Sequence, residues 1–406
     1  MSTPEPESHI IIIGAGIGGL TLAQGLRRRG VSFTVYEQDA QLDSMLQGYP
    51  LIIPDHMVSR FHDTITEDAW TNFEATCVTR PKGEVSLNAI TAQTTARRCI
   101  RPPSNGMVSR VAVREPLRRA LMTGIESSVE FGKKMVSYAI GDDGKSVHVT
   151  FRDDNEPVKG NLLVGADGFD SAVREQLLPT YKFKETGVYC VYGKNPCPEE
   201  LSESLPKDYE RWIMVVRDPA PMTQVTRDVR NGDSSVIMSC QPCFFEKRKE
   251  NPNLPNNYTH WSIVFKTECL DQEPDPTRKR NANDISTSLA KEWDKSICSL
   301  MGLGSGKFPA YYGTAILSNS DGAPEWDTSN RVTLLGDAVH GMSPFSGEGA
   351  ICALNDAIEL SEAIYKDRTI SLKSIRQYEK LMRAYANIRI DRGNKDDKQM
   401  FAEIRG

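Results

Sequence analysis

His9-Ile10-Ile11-Ile12-Ile13-Gly14-Ala15-Gly16-Ile17-Gly18-Gly19-Leu20 is the stretch that decides the fold of this chain. The run from His9 to Ile13 is short, β-branched and apolar on both faces, as a strand buried inside a parallel sheet has to be. It breaks into Gly14-x-Gly16-x-x-Gly19. Leu20 to Arg29 then shows helical spacing, with basic residues in the last turn and Gly30 as a stop. A second strand from Ser32 leads to Glu37, 23 positions beyond Gly14. Strand, glycine turn, helix, strand and acid make a βαβ unit suited to a dinucleotide. Gly14 permits the tight turn, Gly16 lets the backbone approach a pyrophosphate, and Gly19 allows close helix-strand packing. The helix N-terminus supplies amide donors, and Glu37 can accept hydrogen bonds from an adenosine ribose. The fingerprint by itself does not separate FAD from NAD.

Around this unit the chain has the composition of a soluble globular protein: 406 residues, 39% apolar and 25% charged. At roughly 150 residues per domain, that length predicts two to three domains. Forty-nine Lys plus Arg against fifty-four Asp plus Glu leave a net charge of -5, which gives no electrostatic case for a nucleic-acid partner. The basic runs Arg27 to Arg29 and Arg278 to Arg280 read as solvated faces. Nine scattered cysteines lack the spacing of a disulfide framework and predict a reducing compartment. Cys240-Gln-Pro-Cys243 has no second pair at ligand spacing, so no metal is expected. The acidic start Met-Ser-Thr-Pro-Glu-Pro-Glu does not read as a signal peptide, and no run reaches the ~18 apolar residues of a membrane span. A cytoplasmic protein is the expectation; the oligomeric state is not legible.

Two further motifs carry chemistry. Gly165-Ala-Asp167-Gly168-Phe-Asp-Ser171-Ala-Val-Arg174 is a second strand-turn-helix passage, which an N-capped helix alone would also explain. Gly336-Asp337-Ala-Val-His340-Gly-Met-Ser-Pro344-Phe-Ser-Gly347-Glu-Gly349-Ala350 is the third. A carboxylate at the end of a buried strand is expensive unless bonded, so Asp337 is expected to bind a hydroxyl-bearing ligand. The glycines after Pro344 let backbone lie close to a flat ring, and the helix they open aims its positive end at it. Elsewhere the pattern predicts a helix within Ser109 to Gly124 starting near Arg114, a hairpin of Ser128–Ile140 with Lys145–Arg152, and a buried strand Leu162–Gly165. A proline-rich middle from about 180 to 325 carries strand-like runs. Arg331 to Leu335 reads as a central strand, Gly347 to Lys366 as a helix and Ser371 to about Ile404 as a tail helix.

Together the three motifs resemble the group A flavoprotein monooxygenases, with the para-hydroxybenzoate hydroxylase fold, and among them the fungal FAD-dependent monooxygenases. Fingerprint, acid, Arg114-x-x-Leu117-x-x-x-Leu121, the Asp-Gly motif and the Gly-Asp motif occur in the family's order. The resemblance implies an α/β fold: a Rossmann-like FAD-binding domain from 1–75, 100–180 and 325–365, a β-sheet-containing substrate domain from 76–99 and 181–324, and a C-terminal helical segment over 366–406. It implies that Gly14, Gly16 and Gly19 cradle the FAD pyrophosphate, Glu37 holds the adenosine ribose, Arg114 contacts the cofactor chain and Asp337 the ribityl hydroxyls. Gly347, Gly349 and Ala350 lie beside the ring, and Asp167 belongs to a motif tied to both FAD and NADPH or NADH. The implied reaction reduces FAD with NAD(P)H, adds O2 at flavin C4a, and transfers one oxygen atom from the hydroperoxide to a small or medium organic substrate, aromatic or alkaloid- or polyketide-like.

The chain departs from the family at several points. Where relatives often have Gly-Gln-Gly-Ala-Asn, this chain has Gly347-Glu348-Gly349-Ala350-Ile351. Glu348 either places a carboxyl near the flavin or turns to solvent as a helix-start acid; the second is the expectation. The catalytic Arg that fungal relatives often carry after the Asp-Gly motif has no clear counterpart, and Tyr192 and Lys194 are the candidates. His340 reads as a structural imidazole before a general base, and Trp212, Trp261 and Phe244-Phe245 as core before cavity lining. A flavin-dependent reductase or dehydrogenase of the same fold, or a non-catalytic FAD-binding protein, are the alternatives.

Overall fold

A computed structural model describes residues 8–42, 48–99, 108–185, 188–196, 211–218, 236–252, 254–266, 282–302, 310–313, 317–318, 321–342, 347–367 and 370–402. Five parallel strands form the first sheet, in the spatial order Val332–Leu334, Leu162–Gly165, His9–Ile13, Ser32–Tyr36, Val129–Glu130. The isoleucine run lies at its centre, with Ile10, Ile11 and Ile12 fully buried. Helix Ile17–Arg28 crosses back over the sheet, and helix Gly349–Asp367 packs closely on it: a Cβ added to Gly18 would lie 3.3 Å from Ala353 Cβ.

Val332–Leu334 is the edge of this sheet, not a central strand. Its apolar character has a different cause, because helix Leu372–Ala402 covers it. Tyr378 donates its hydroxyl to the Leu334 carbonyl at 2.7 Å, and Thr333 donates to Glu379 Oε1 at 3.0 Å. An edge covered by a helix needs the same apolar residues as an interior strand.

One other boundary, at the start of the expected Ser128–Ile140 strand, differs from expectation. The Ser109–Gly124 segment begins as strand Arg110–Val113, antiparallel to Pro50–Ile53, and becomes helix only over Arg114–Met122, which places Pro116 in the first turn. Val129–Glu130 joins the parallel sheet, leaving Met135–Ile140 to pair with Val147–Phe151 and, through it, Val158–Gly160. The tail helix is placed at Leu372–Ala402, and its expected end near Ile404 lies outside the described residues.

The second large sheet has seven strands, in the order Ala310–Gly313, Val188–Pro196, Tyr258–Lys266, Val236–Cys243, Trp212–Arg217, Gly83–Asn88, Thr94–Cys99. Its two faces differ because strand side chains alternate. One face carries Val191, Trp212, Met214, Met238, Cys240, Trp261, Ile263 and Phe265, buried against Ile285, Leu289, Trp293, Ile297 and Leu300. Trp212 and Trp261 are therefore core residues, as is Phe245 in a smaller cluster with Val78, Val111 and Tyr258. The opposite face carries three cross-strand rows: Cys190-Val264-Ile237, Tyr192-Ser262-Ser239, and Lys194-His260-Gln241. Polar side chains dominate the last two.

Candidate functional site

All three sequence motifs open at the carboxyl ends of neighbouring parallel strands, since Ile13 pairs with Gly165 and Gly165 with Leu334. Open α/β sheets bind ligands at that edge. Gly14 has φ +105, and a Cβ there would come 2.4 Å from the Ala166 carbonyl oxygen, so the first turn and the Asp-Gly motif touch through backbone. A Cβ on Gly19 would lie 2.1 Å from the Gly14 carbonyl oxygen, which makes its glycine a packing requirement. Gly16 is different. It caps the helix with φ -72 and ψ 179 degrees from zero on the negative side, backbone angles open to any residue, and a Cβ there would meet no atom within 4 Å. Nothing in the polypeptide itself demands glycine at Gly16, and the space beside it is open.

Glu37 is bound into this turn. Its Oε2 accepts from the Ala15 amide at 2.8 Å and its Oε1 from the Asp39 amide at 3.0 Å. Each carboxylate oxygen keeps a further lone pair for a ribose hydroxyl. Arg118, which the sequence reading passed over, donates Nε to the Ala15 carbonyl and Nη1 to the Leu42 carbonyl, both at 3.0 Å. A buried guanidinium therefore sits against the glycine turn, one helical turn beyond Arg114. The spacing signal was present, because residues four apart on a helix share a face.

Arg114 reaches elsewhere. Its Nη1 donates to the Tyr49 hydroxyl at 2.9 Å, while its buried Nε has no partner among the described residues. It also acts electrostatically on Asp337. Burial pushes the Asp337 carboxyl above the usual range, and His340 and Arg114 pull it back. The residue keeps some accessible surface, and a Cβ on Gly349 would lie 3.6 Å from its Oδ1. Asp337 and the start of helix Gly349–Asp367 thus face the same space, which joins a carboxylate acceptor to the amide donors of a helix N-terminus.

Asp167 is bonded within its own motif. Its Oδ2 accepts from the Ala172 amide at 2.8 Å and its Oδ1 is buried without a partner; burial raises its carboxyl above the ordinary range. Arg174, from the same motif, donates to the Ala338 carbonyl at 3.4 Å and so ties the Asp-Gly motif to the Gly-Asp motif. His340 is fully buried and pairs with Asp356 Oδ2 at 2.5 Å, the same oxygen that accepts the Gly336 amide at 2.9 Å. Burial would lower its pKa, but Asp356 and Asp337 outweigh that and raise it. This imidazole holds the Gly-Asp turn in place, the structural reading.

Glu348 does not turn to solvent as a helix-start acid, as expected from the sequence: its carboxylate pairs with Arg389 and Arg392 of the C-terminal helix. Pro344 lies outside the described residues. Gly347 has φ +65, which explains that glycine, and Ala350 packs against the central core.

Tyr192 and Lys194 lie on the polar face of the seven-stranded sheet, where Tyr49 meets it. The Tyr49 ring is 6.4 Å from both the Tyr192 and the His260 rings. Lys194 Nζ is 3.7 Å from Glu115 Oε2, and the Tyr258 hydroxyl donates to the Gly48 carbonyl at 2.6 Å. His260 and Gln241, which no local motif marks, are both over nine-tenths buried, with His260 Nε2 and Gln241 Nε2 unpartnered. Burial and then Lys194 push His260 down to about 3, so this imidazole is neutral. A depressed histidine costs stability in acid: below its unfolded pKa near 6.5 the unfolded chain takes up a proton that the native chain refuses. At pH 5 the loss relative to pH 7 is about 2 kcal/mol. His260→Gln is expected to remove that part of the acid sensitivity, read as the difference in denaturant-unfolding free energy between pH 7 and pH 5; an unchanged difference contradicts it.

Among the described residues, no group of three or more His, Cys, Asp or Glu side chains is placed to hold a metal ion, and no helix is long and apolar enough to cross a membrane. Cys240 and Cys243 are buried free thiols within one strand.

Comparison with known proteins gives a consistent result. Residues 7–222, just over half of the chain, match the profile of the FAD binding domain family. The chain is 32% identical over 380 residues to the dual O-methyltransferase/FAD-dependent monooxygenase elcB of Phaeosphaeria nodorum, covering 87% of this chain and 40% of that protein. It is 31% identical over 418 residues to CTB3 of Cercospora beticola, another dual O-methyltransferase/FAD-dependent monooxygenase, covering 99% of this chain and 47% of that one. The chain therefore spans less than half the length of these two relatives. Among solved structures, CtdE in complex with FAD superposes with a TM-score of 0.73 at 14% identity, over 97% of this chain and 94% of that one, a likeness of fold.

Proposed function

Because the chain belongs to the FAD binding domain family, we propose that it is an FAD-dependent monooxygenase that draws electrons from NADPH or NADH and places one oxygen atom of O2 on a phenolic aromatic substrate. The observation that carries the reading is the meeting of Gly16, Asp337 and the N-terminus of helix Gly349–Asp367 at one edge of the parallel sheet. The residues fit FAD: the space beside Gly16 takes the pyrophosphate, Glu37 the adenosine ribose, Asp337 the ribityl hydroxyls, and the unpartnered Nε of Arg114 a polar group of the cofactor chain. When bound, FAD supplies the redox and oxygen-activating chemistry.

The protein's own part is to bind, orient and exclude water. The start of helix Gly349–Asp367 favours negative charge on whatever lies against it, by about 0.3 to 2 kcal/mol. The polar face of the seven-stranded sheet supplies the substrate side, with Tyr192, Lys194, His260 and Gln241 as the groups that contact it. A neutral imidazole flanked by a lysine and an amide suits a phenolic or carbonyl oxygen better than an apolar edge does. The substrate class also draws on the two relatives above, whose names join oxygenation to O-methylation, a reaction that needs a hydroxyl oxygen. We propose the division into 1–75, 100–180 and 325–365 for cofactor, 76–99 and 181–324 for substrate, and a C-terminal segment from 366, on the two sheets described.

The deciding experiment supplies NADPH or NADH, labelled O2 and a panel of hydroxylated aromatics. The product is expected to gain one labelled oxygen, a rise of 18 mass units over the substrate for the heavy isotope, about two more than ordinary oxygen insertion gives. Label arriving from water, or product formed without oxygen, overturns the reading in favour of a reductase or dehydrogenase. Bound flavin with no oxidation of reduced nicotinamide under any condition favours a non-catalytic protein. Asp337→Ala is expected to weaken FAD binding about tenfold to a hundredfold, the equivalent of one charge-assisted hydrogen bond, with the melting temperature of the flavin-free protein little changed. Fluorescence titration of apoprotein measures it, and unchanged affinity with a large loss of stability would make Asp337 structural.

A further inference from the structure

Glu348 occupies an awkward position for an acid. It lies between Gly347 and Gly349, the residue that opens helix Gly349–Asp367 beside the Asp337 carboxylate. Reduction of a flavin adds negative charge, so a free carboxylate in this loop would oppose it and cancel part of the helix-end field.

The C-terminal helix answers that charge. Glu348 Oε2 is 3.3 Å from Arg389 Nε, and Oε1 is 3.7 Å from Arg392 Nη1. Arg389 and Glu348 are largely buried, at 17% and 20% side-chain exposure, whereas Arg392 is exposed. Arg389 is itself fixed: its guanidinium carbon is 3.3 Å from the centre of the Tyr385 ring, and its Nη1 donates to the Tyr385 carbonyl at 3.3 Å. Behind the pair, Ala386 and Ile390 of the same helix pack on Met342 and Cys352. The Gly347–Gly349 turn and the start of helix Gly349–Asp367 are thus docked on the C-terminal helix.

We propose that Arg389, assisted by Arg392, is a positioning residue for the flavin: by pairing with Glu348 it holds the Gly347–Gly349 turn and neutralises a carboxylate that would otherwise disfavour the reduced cofactor. The inference rests on the assignment of FAD to this site but not on the identity of the substrate or on oxygen transfer.

The two partners make opposite predictions. The midpoint potential of bound FAD, measured without substrate by dye-equilibrated reduction, is expected to fall in Arg389→Gln, where Glu348 loses its buried cationic partner and keeps the exposed Arg392, and to rise in Glu348→Gln. The double variant is expected near the parent, as is Arg389→Lys. Affinity for FAD in Arg389→Gln is expected to drop about two- to fivefold, the range for one partly exposed ion pair. A shift of the same sign in both single variants, or no shift in either, overturns the proposal and leaves a packing contact. If Arg389→Gln does not fold, Glu348→Gln decides, because an unchanged or lowered potential there contradicts the electrostatic role. A parent chain that takes up no FAD overturns the cofactor assignment and this inference with it. A chain that binds FAD but transfers no oxygen still yields the potentials, so the two failures are separable.

Discussion

Gly16→Val is expected to give a folded protein that purifies without flavin. The backbone at Gly16 suits any residue, and a Cβ there meets nothing of the polypeptide within 4 Å, so the apoprotein can accept the side chain. Losing glycine as the helix cap costs no more than about 1 kcal/mol. The branched side chain would instead occupy the space where a pyrophosphate must approach the helix amides, and binding energy of the whole cofactor depends on that approach. Gly19→Ala provides the contrast, since its Cβ would lie 2.1 Å from the Gly14 carbonyl oxygen and the cost falls on the fold. The flavin-to-protein absorbance ratio after reconstitution, together with the melting temperature, separates the two outcomes. Full flavin occupancy in Gly16→Val would show that the turn is not the pyrophosphate site.

The second large effect is on stability. Glu379→Ala is expected to destabilise the protein by about 3 kcal/mol or more, a sizeable share of the ~5–15 kcal/mol that holds a typical domain together. Glu379 is fully buried in the C-terminal helix and accepts hydrogen bonds from Trp326 Nε1 at 3.0 Å, Thr328 Oγ1 at 2.6 Å and Thr333 Oγ1 at 3.0 Å. Truncation strands those donors and opens a cavity over the edge of the parallel sheet. Glu379→Gln keeps the shape and an acceptor, and should recover much of the loss. Denaturant unfolding of the flavin-free forms measures both; a change below about 1 kcal/mol for Glu379→Ala would mean that water replaces the carboxylate without penalty.

The glycine turn and its flanking strand and helix were legible because their signals are local. Four consecutive isoleucines, three glycines at fixed spacing and an acid at the end of the next strand all fall within about thirty residues of one another, and each is recognisable from its immediate neighbours. The position of Asp337 at the end of a buried strand was legible for a related reason, a carboxylate after an apolar run being costly wherever it is found. Arg118 was within reach of the same reasoning and was passed over, since its position on the helix face matters only once Ala15 and Leu42 are known to lie beneath it.

The amino-acid sequence by itself determined the nucleotide-binding unit, the order of the three motifs and the α/β class, because short-range periodicity and backbone permissiveness are properties of contiguous residues. Tertiary structure alone decided which residues stand opposite one another across distant segments. It put Val332–Leu334 at a covered edge, assembled Lys194, His260 and Gln241 into one row, and gave Glu348 its partners in Arg389 and Arg392. Those placements depend on strand register and helix docking between residues from 19 to 169 positions apart, as in Gln241 with His260 and Leu163 with Val332, where only burial and pairing across the folded chain, and no local pattern, fix which side chain meets which.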